Sequence, residues 1–278
     1  MRILQILPEL NVGGVERGTL DLACYFVDHG HTSVVVSNGG TLVASLEAQG
    51  SRHYKLPVHR KNLFTAWHCV KALRRIIIDE KVDVVHARSR VPALIAYFAT
   101  RKTDAEFITT CHGYYSRNFM GRIMGWGKRV IVISDVIGRH MIEHFGVHSQ
   151  NIRLIHRSVD LEKFKFRERP QGRSSVVVSI IGRITPLKGH TYFLQAMAKV
   201  IRLMPFVRVR VIGDAPAEKQ DYKESLMLLT RRLGIAQQVE FLGNCADIPQ
   251  LLNDTDILVL STVTQEAFGR VLIEAQAV

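Results

Sequence analysis

No apolar run in this chain is long enough to cross a bilayer. Stretches such as Ile76-Ile77-Ile78 and Val176-Val177-Val178 fall far short of the roughly 18 residues that a spanning helix needs. Cysteine is scarce: Cys24, Cys69, Cys111 and Cys245 are scattered and form no CxxC pair. That spacing excludes a zinc knuckle or a disulfide framework and leaves four thiols expected to be buried. The N-terminus enters a strand-like "RILQIL" and then a Gly-Gly loop, without the apolar core and small-residue cleavage site of a signal peptide, so a cytoplasmic chain is expected. There is no low-complexity tract to argue for disorder. Acidic residues are also few, 25 Asp and Glu against 37 Lys and Arg, a formal net charge of +12.

What is present is a globular composition, 47% hydrophobic over 278 residues, a length that favours two domains over one. Short β-branched runs alternate with helical periods, the pattern of parallel sheets covered by helices. Strands are predicted at 3–7, 33–36, 83–86, 107–110, 130–133 and 152–155, with helices such as 15–28 and 63–79 between them. A polar, Pro- and Gly-containing stretch, 157–175, reads as a linker. The alternation then restarts, with strands at 176–181, 207–212, 239–241 and 257–260 and helices at 187–203, 219–233 and 246–251. The expected architecture is two Rossmann-like, doubly wound α/β domains, 1–168 and 169–278, facing each other across a cleft. Ligands of such folds bind at the carboxyl ends of the strands.

Three loops in that position carry chemistry. In "PELNVGGVERG", Gly13 and Gly14 permit close backbone approach at a helix N-terminus, whose N–H groups attract anions, although the loop is not GxGxxG and a plain strand-to-helix turn would look the same. In "GRITPLKG", Arg183 offers a fork of donors and Lys188 a mobile point charge, a pair suited to a diphosphate. In "QEAFGRVLIEA", a helix starting near Gly269 leaves Glu266 in the preceding loop and puts Glu274 in its second turn. Each carboxylate can accept bonds from vicinal sugar hydroxyls. The plainer alternative makes Glu266 a helix cap and Glu274 a surface residue.

Together "GGVERG", His112-Gly113, "GRITPLKG", Gly213 of "VIGD", "FLG" at 241–243, and the Glu266/Glu274 pair resemble the GT-B-fold retaining glycosyltransferases of the family 4 type, from Met1 to Val278. The resemblance implies a nucleotide-sugar donor held mainly by the second domain and a surface-glycan or glycolipid acceptor docked on the first. It assigns the donor diphosphate to Arg183 and Lys188, with Gly13 and Gly14 approaching it, and the ribose to Glu274. Glu266 would meet the transferred sugar beside Phe268 and Gly269, and His112 would lie close to it. Fixed cations would stabilise the departing diphosphate, so no cofactor or metal is expected. The DxD-like Asp254-Thr255-Asp256 reads as strand entry. Ser158 and Ala215 replace glycines common in the family, which leaves Arg157 and Asp160 as weak candidates. The chain stops within the Glu274 helix, like a truncated second domain, which would leave strand 257–260 as an open edge. A nucleotide-sugar-binding protein and a nucleotide-sugar epimerase are the alternatives.

The positive charge is uneven. Residues 1–168 carry 24 Lys and Arg against 15 Asp and Glu, a net +9, and the remainder 13 against 10, a net +3. In "YYSRNFMGRIMGWGKR", 114–129, aromatics alternate with Arg117, Arg122, Lys128 and Arg129 around Trp126, as in a segment lying at an anionic membrane surface. "HRKNLFTAWHCVKALRRIII", 59–78, is a second and weaker candidate. Dispersed cations and the lack of a nucleic-acid module argue against nucleic acid. The expected location is cytoplasmic, peripheral on the inner face of the cytoplasmic membrane.

Overall fold

The computed structural model describes residues 1–11, 13–168 and 175–278; Val12 of the Gly-Gly loop and 169–174 of the predicted linker lie outside the described residues. The chain forms two compact units, Met1–His156 and Arg157–Val278. The described part of the linker packs on the second unit. There the Arg167 backbone N–H donates to Asn253 Oδ1 (2.9 Å), and Asn253 Nδ2 to the Lys165 carbonyl (3.1 Å).

The first unit is a seven-stranded, wholly parallel sheet: β1 Arg2–Ile6, β2 Thr32–Ser37, β3 Arg52–Lys55, β4 Val84–Ala87, β5 Glu106–Cys111, β6 Arg129–Val132 and β7 Ile152–Leu154. Its order is β3-β2-β1-β4-β5-β6-β7. Val34, Val35 and Val36 are all buried, as expected of a strand covered by helices on both faces. The helices are α1 Gly14–Asp28, α2 Val43–Ala48, α3 Leu63–Asp79, α4 Arg90–Thr100, α5 Phe119–Arg122 and α6 Asp135–Phe145. Asn62 caps α3 by accepting from the Phe64 and Thr65 N–H groups (2.9 and 3.3 Å), which satisfies two of its unpaired first-turn donors.

The second unit is a four-stranded parallel sheet of β8 Val176–Ile181, β9 Val207–Ile212, β10 Val239–Gly243 and β11 Ile257–Leu258, in the order β10-β9-β8-β11. Its helices are α7 His190–Leu203, α8 Gln220–Arg232, α9 Ile248–Asn253 and α10 Arg270–Gln276. Val178, Ile180, Phe193, Leu194, Met197, Val209, Val211 and Leu226 close the core, each such side chain contributing about 1.5–3 kcal/mol by leaving water.

Four details depart from the expectation. Strand β3 was not foreseen. Helix α7 starts at His190, because Pro186–Lys188 is a separate 3-10 turn ended by Gly189 in the left-handed region. Strand β11 is two residues long and forms the edge, although the Val259 N–H still donates to the Ser179 carbonyl (2.8 Å). Cys69 and Cys111 are buried, but Cys24 and Cys245 are half-buried. Cys24 lies where α1 turns toward solvent and donates to Asp28 Oδ2 (3.4 Å), and Cys245 follows β10 in a loop. Among the described residues, no helix is long and apolar enough to cross a membrane.

Candidate active site

Both sheets contain a point where strand order reverses, and loops leaving the two strands there diverge and open a crevice at their carboxyl ends. In the second sheet this point lies between β8 and β11. The loop after β8 carries Arg183 and Lys188, and the loop after β11 carries Glu266. The two loops are joined directly: the Val263 N–H donates to the Leu187 carbonyl (3.0 Å) and Ser261 Oγ to the Lys188 carbonyl (2.9 Å). Gly189 makes this approach sterically feasible. Its φ is +70°, and a Cβ there would sit 1.9 Å from the Ser261 carbonyl oxygen.

Within the junction, Lys188 Nζ donates to Glu266 Oε2 at 2.7 Å, and Thr262 Oγ1 donates to the same oxygen at 2.9 Å. The two charged side chains are 32% and 29% exposed, so water screens the pair only partly. Burial acts to raise the Glu266 carboxyl. Lys188, Thr262 and the Ala267 N–H outweigh it and hold the group below the usual carboxylate range. Glu266 is therefore ionised at neutral pH. Arg183 is exposed on the same loop.

Beyond Glu266 the chain enters α10 through Gly269, whose φ of +76° is left-handed and whose Cβ would meet Leu260 Cδ2 at 3.2 Å. Phe268 is half-buried beside it. Glu274 lies in the second turn, 15% exposed, and pairs with Arg270 Nε at 2.9 Å. Burial raises its carboxyl despite the opposing charges of Arg270, Lys163 and Arg157. Arg157 is in turn pushed down by burial and by Arg270, and held up by Glu274. The two glutamates thus shift in opposite directions. Arg157, considered weak from its context, and Arg270 and Lys163, not considered at all, belong to the surroundings of Glu274; Asp160 caps the turn leading to Lys163.

In the first sheet the reversal lies between β1 and β4. Gly13 caps α1 with extended backbone, φ −176°, and a Cβ at Gly14 would meet nothing within 4 Å. Neither glycine is in the left-handed region, and a Cβ at Gly13 would lie 2.2 Å from Glu16 Oε2, so a carboxylate already stands at the helix start. Just after β4 is Arg88, a residue missed in the sequence. It is 7% exposed, donates through Nη1 to Gln5 Oε1 (2.8 Å), and would contact a Cβ at Gly18. Its signal was a cation two residues after a predicted strand. His86 beneath it bonds Thr110 (2.6 Å) and is pushed down to about 3 by burial and by Arg88. His112, half-buried after β5, donates its backbone N–H to Tyr115 Oη (3.3 Å).

Asp256 Oδ2 accepts from the Val177 N–H (2.7 Å) and Asp254 Oδ2 from Gln250 (3.2 Å), bonds that fasten the entry to β11. The interfacial candidate 114–129 is partly core: Ile123 and Met124 are fully buried, while Phe119 and Trp126 reach solvent with rings 5.6 Å apart. Three of its cations have partners, Arg117 with His144, Lys128 with Glu106, and Arg129 with the Lys128 carbonyl, and Arg122 is exposed.

Known proteins align with both units. The profile of Glycosyltransferase Family 4 matches residues 12–163 and that of Glycosyl transferases group 1 matches residues 162–278. A glycosyltransferase from Rickettsia africae ESF-5 superposes with a TM-score of 0.88 at 31% identity, over 99% of this chain and 76% of that one. Anabaena Alr3699/HepE in complex with UDP-glucose superposes with a TM-score of 0.83 over 100% of this chain and 78% of its own, a likeness of fold at 22% identity. The phosphatidylinositol N-acetylglucosaminyltransferase GPI3 subunit of Saccharomyces cerevisiae is 26% identical over 300 residues, 96% of this chain and 63% of the yeast protein. This chain spans less than two-thirds of the length of the curated relatives it matches.

Proposed function

Because the chain belongs to glycosyltransferase family 4 and has the GT-B type of α/β fold, we propose that it transfers a sugar, a hexose or a close relative, from a nucleotide-sugar to a glycan or glycolipid hydroxyl. The observation that carries this is the Lys188–Glu266 pair at the reversal point of the second sheet. A cation and an ionised carboxylate there suit the two halves of a sugar diphosphate. The complex of HepE with UDP-glucose supports the donor class, and the phosphatidylinositol named for the yeast relative supports a lipid-linked acceptor.

In this function, transfer breaks the bond between the anomeric carbon and the diphosphate oxygen, the acceptor hydroxyl oxygen forms the new bond on the same face, retaining configuration, and the hydroxyl proton passes to the departing diphosphate. Charge concentrates on the leaving diphosphate. Arg183 and Lys188 neutralise it, and preorganised charges contribute most where charge develops. Glu266 holds the transferred sugar beside Phe268 and Gly269, and Glu274 takes the ribose hydroxyls. No metal enters the scheme, because fixed cations supply the charge.

The test is turnover of nucleotide-sugars, read as released nucleoside diphosphate with and without glycan or lipid-linked acceptors, in the presence of chelator. Acceptor-dependent release that chelator leaves unchanged is expected. Isomerised donor without acceptor would make the protein an epimerase, and binding without turnover a binding protein. Activity lost to chelator and restored by magnesium or manganese would overturn the metal-free scheme.

A further inference from the structure

The first unit carries an exposed apolar and basic stripe on α3. Leu63, Phe64 and Trp67 are 83%, 89% and 61% exposed, and Ile78 at the far end is 57% exposed. Phe64, Trp67, Lys71, Arg75 and Ile78 follow one another at steps of three or four, so they share one helical face. The opposite face is core, with Cys69, Val70, Leu73 and Ile77 buried. A helix that buries one apolar face and exposes another pays a hydration penalty unless something covers the second.

The surrounding charge selects the cover. From residue 48 to residue 78 the sequence contains no Asp or Glu and seven Lys or Arg. Arg52 is engaged by Glu80, and Arg74 by the Ala99 and Phe98 carbonyls. Arg60, Lys61, Lys71 and Arg75 are exposed around the stripe, with Lys71 Nζ 5.5 Å from the centre of the Trp67 ring. Aromatic tips ringed by solvated cations match a surface that is apolar within and anionic outside. Segment 114–129 has this character only in part: Phe119, Trp126 and Arg122 reach solvent, but Ile123 and Met124 are core and three of its cations are paired.

We propose that the start of α3 docks the first unit on an anionic membrane, with Leu63, Phe64 and Trp67 entering the headgroup region and Arg60, Lys61 and Lys71 meeting lipid phosphates. In a parallel α/β sheet a helix starts at the carboxyl edge of the strand before it. The stripe therefore begins on the same edge of the sheet as Gly13, Arg88 and His112. Docking there brings lipid-linked molecules to the edge where ligands bind. This surface does not depend on the donor assignment, which concerns the other unit.

The chain has two tryptophans, Trp67 and Trp126, so Trp126→Phe and Trp67→Phe each leave one reporter. On vesicles of phosphatidylcholine and phosphatidylglycerol in equal parts, Trp67 emission should shift to the blue and be quenched by brominated acyl chains, and Trp126 emission should not. Phosphatidylcholine alone, or high salt, should abolish the shift. Each cation near an anionic surface strengthens partition about fivefold, so Lys61→Glu with Lys71→Glu should weaken co-sedimentation by about 25-fold or more. Phe64→Ser with Trp67→Ser should also release the protein, and both variants should keep their nucleoside diphosphate affinity. A response from Trp126 in place of Trp67, or variants that pellet like the wild type, would overturn the proposal. So would wild-type protein that ignores anionic vesicles but self-associates through these residues, which would make the stripe a protein interface.

Discussion

Replacing Lys188 with methionine keeps most of the side-chain volume and removes one charge from the β8–β11 junction. A charge-assisted bond to phosphate contributes roughly 1.5–3 kcal/mol. Lys188 is not idle without ligand, however: it holds Glu266 at 2.7 Å, and a diphosphate must draw it away. A pair about one-third exposed accounts for about 0.5–1 kcal/mol, so the net loss should be about 0.5–2.5 kcal/mol, or roughly 2- to 70-fold in nucleoside diphosphate affinity. Nucleoside affinity should change less than about twofold, since no phosphate is present. Glu266→Gln separates the two roles. It frees Lys188, so nucleoside diphosphate should bind as tightly or a few-fold tighter, while the intact sugar-nucleotide weakens because the sugar loses its acceptor. Titration calorimetry with the three ligands reads all of this. If Lys188→Met weakens nucleoside and nucleoside diphosphate alike, or Glu266→Gln reproduces the Lys188→Met profile, then Lys188 does not bind phosphate.

Because the Glu266 carboxyl is held below its unfolded value, the pair contributes stability above the ordinary carboxylate pKa that is lost as pH falls through the lower folded value. Amide protection factors in 182–189 and 261–269, corrected for the intrinsic slowing of exchange in acid, should fall over that acid range in wild type, and Lys188→Met, which lacks the pair, should not show the step. Gly189→Ala should destabilise the second unit by about 3 kcal/mol or more, since it adds the penalty of a left-handed alanine to a collision with backbone. Tyrosine emission or exchange must be used to follow it, as both tryptophans lie in the first unit. A loss below about 1 kcal/mol would mean that the two loops are free to separate.

Central strands were legible because burial on both faces demands β-branched runs, as in "SVVVS" and "SVVVSII". Strand β3, "RHYK", escaped because an edge strand beside one neighbour needs no apolar run and carries polar and charged residues instead. Lys188 and Glu266 were each visible in their own motifs. Their contact spans 78 residues and has no local signature, nor does the gathering of Arg157, Lys163 and Arg270 around Glu274. Segments 114–129 and 59–78 show a related limit: alternating aromatics and cations look alike in sequence whether the centre of the segment is packed, as Ile123 and Met124 are, or exposed, as Phe64 and Trp67 are.

The two reversal points also have a kinetic meaning. Ile3 pairs with Val84 across 81 residues and Val178 with Ile257 across 79, whereas the other neighbouring strands in both sheets pair over about 18 to 31. Each doubling of a closed loop costs about 0.6 kcal/mol, so these two closures carry about 1 kcal/mol more entropy loss than their neighbours. Long-range pairings of this kind form slowly. On this ground the crevices they create are expected to complete late in folding, which amide-exchange labelling during refolding would check. A ligand bound in either crevice acts on what forms after the transition state, slowing unfolding without hastening the search for the fold.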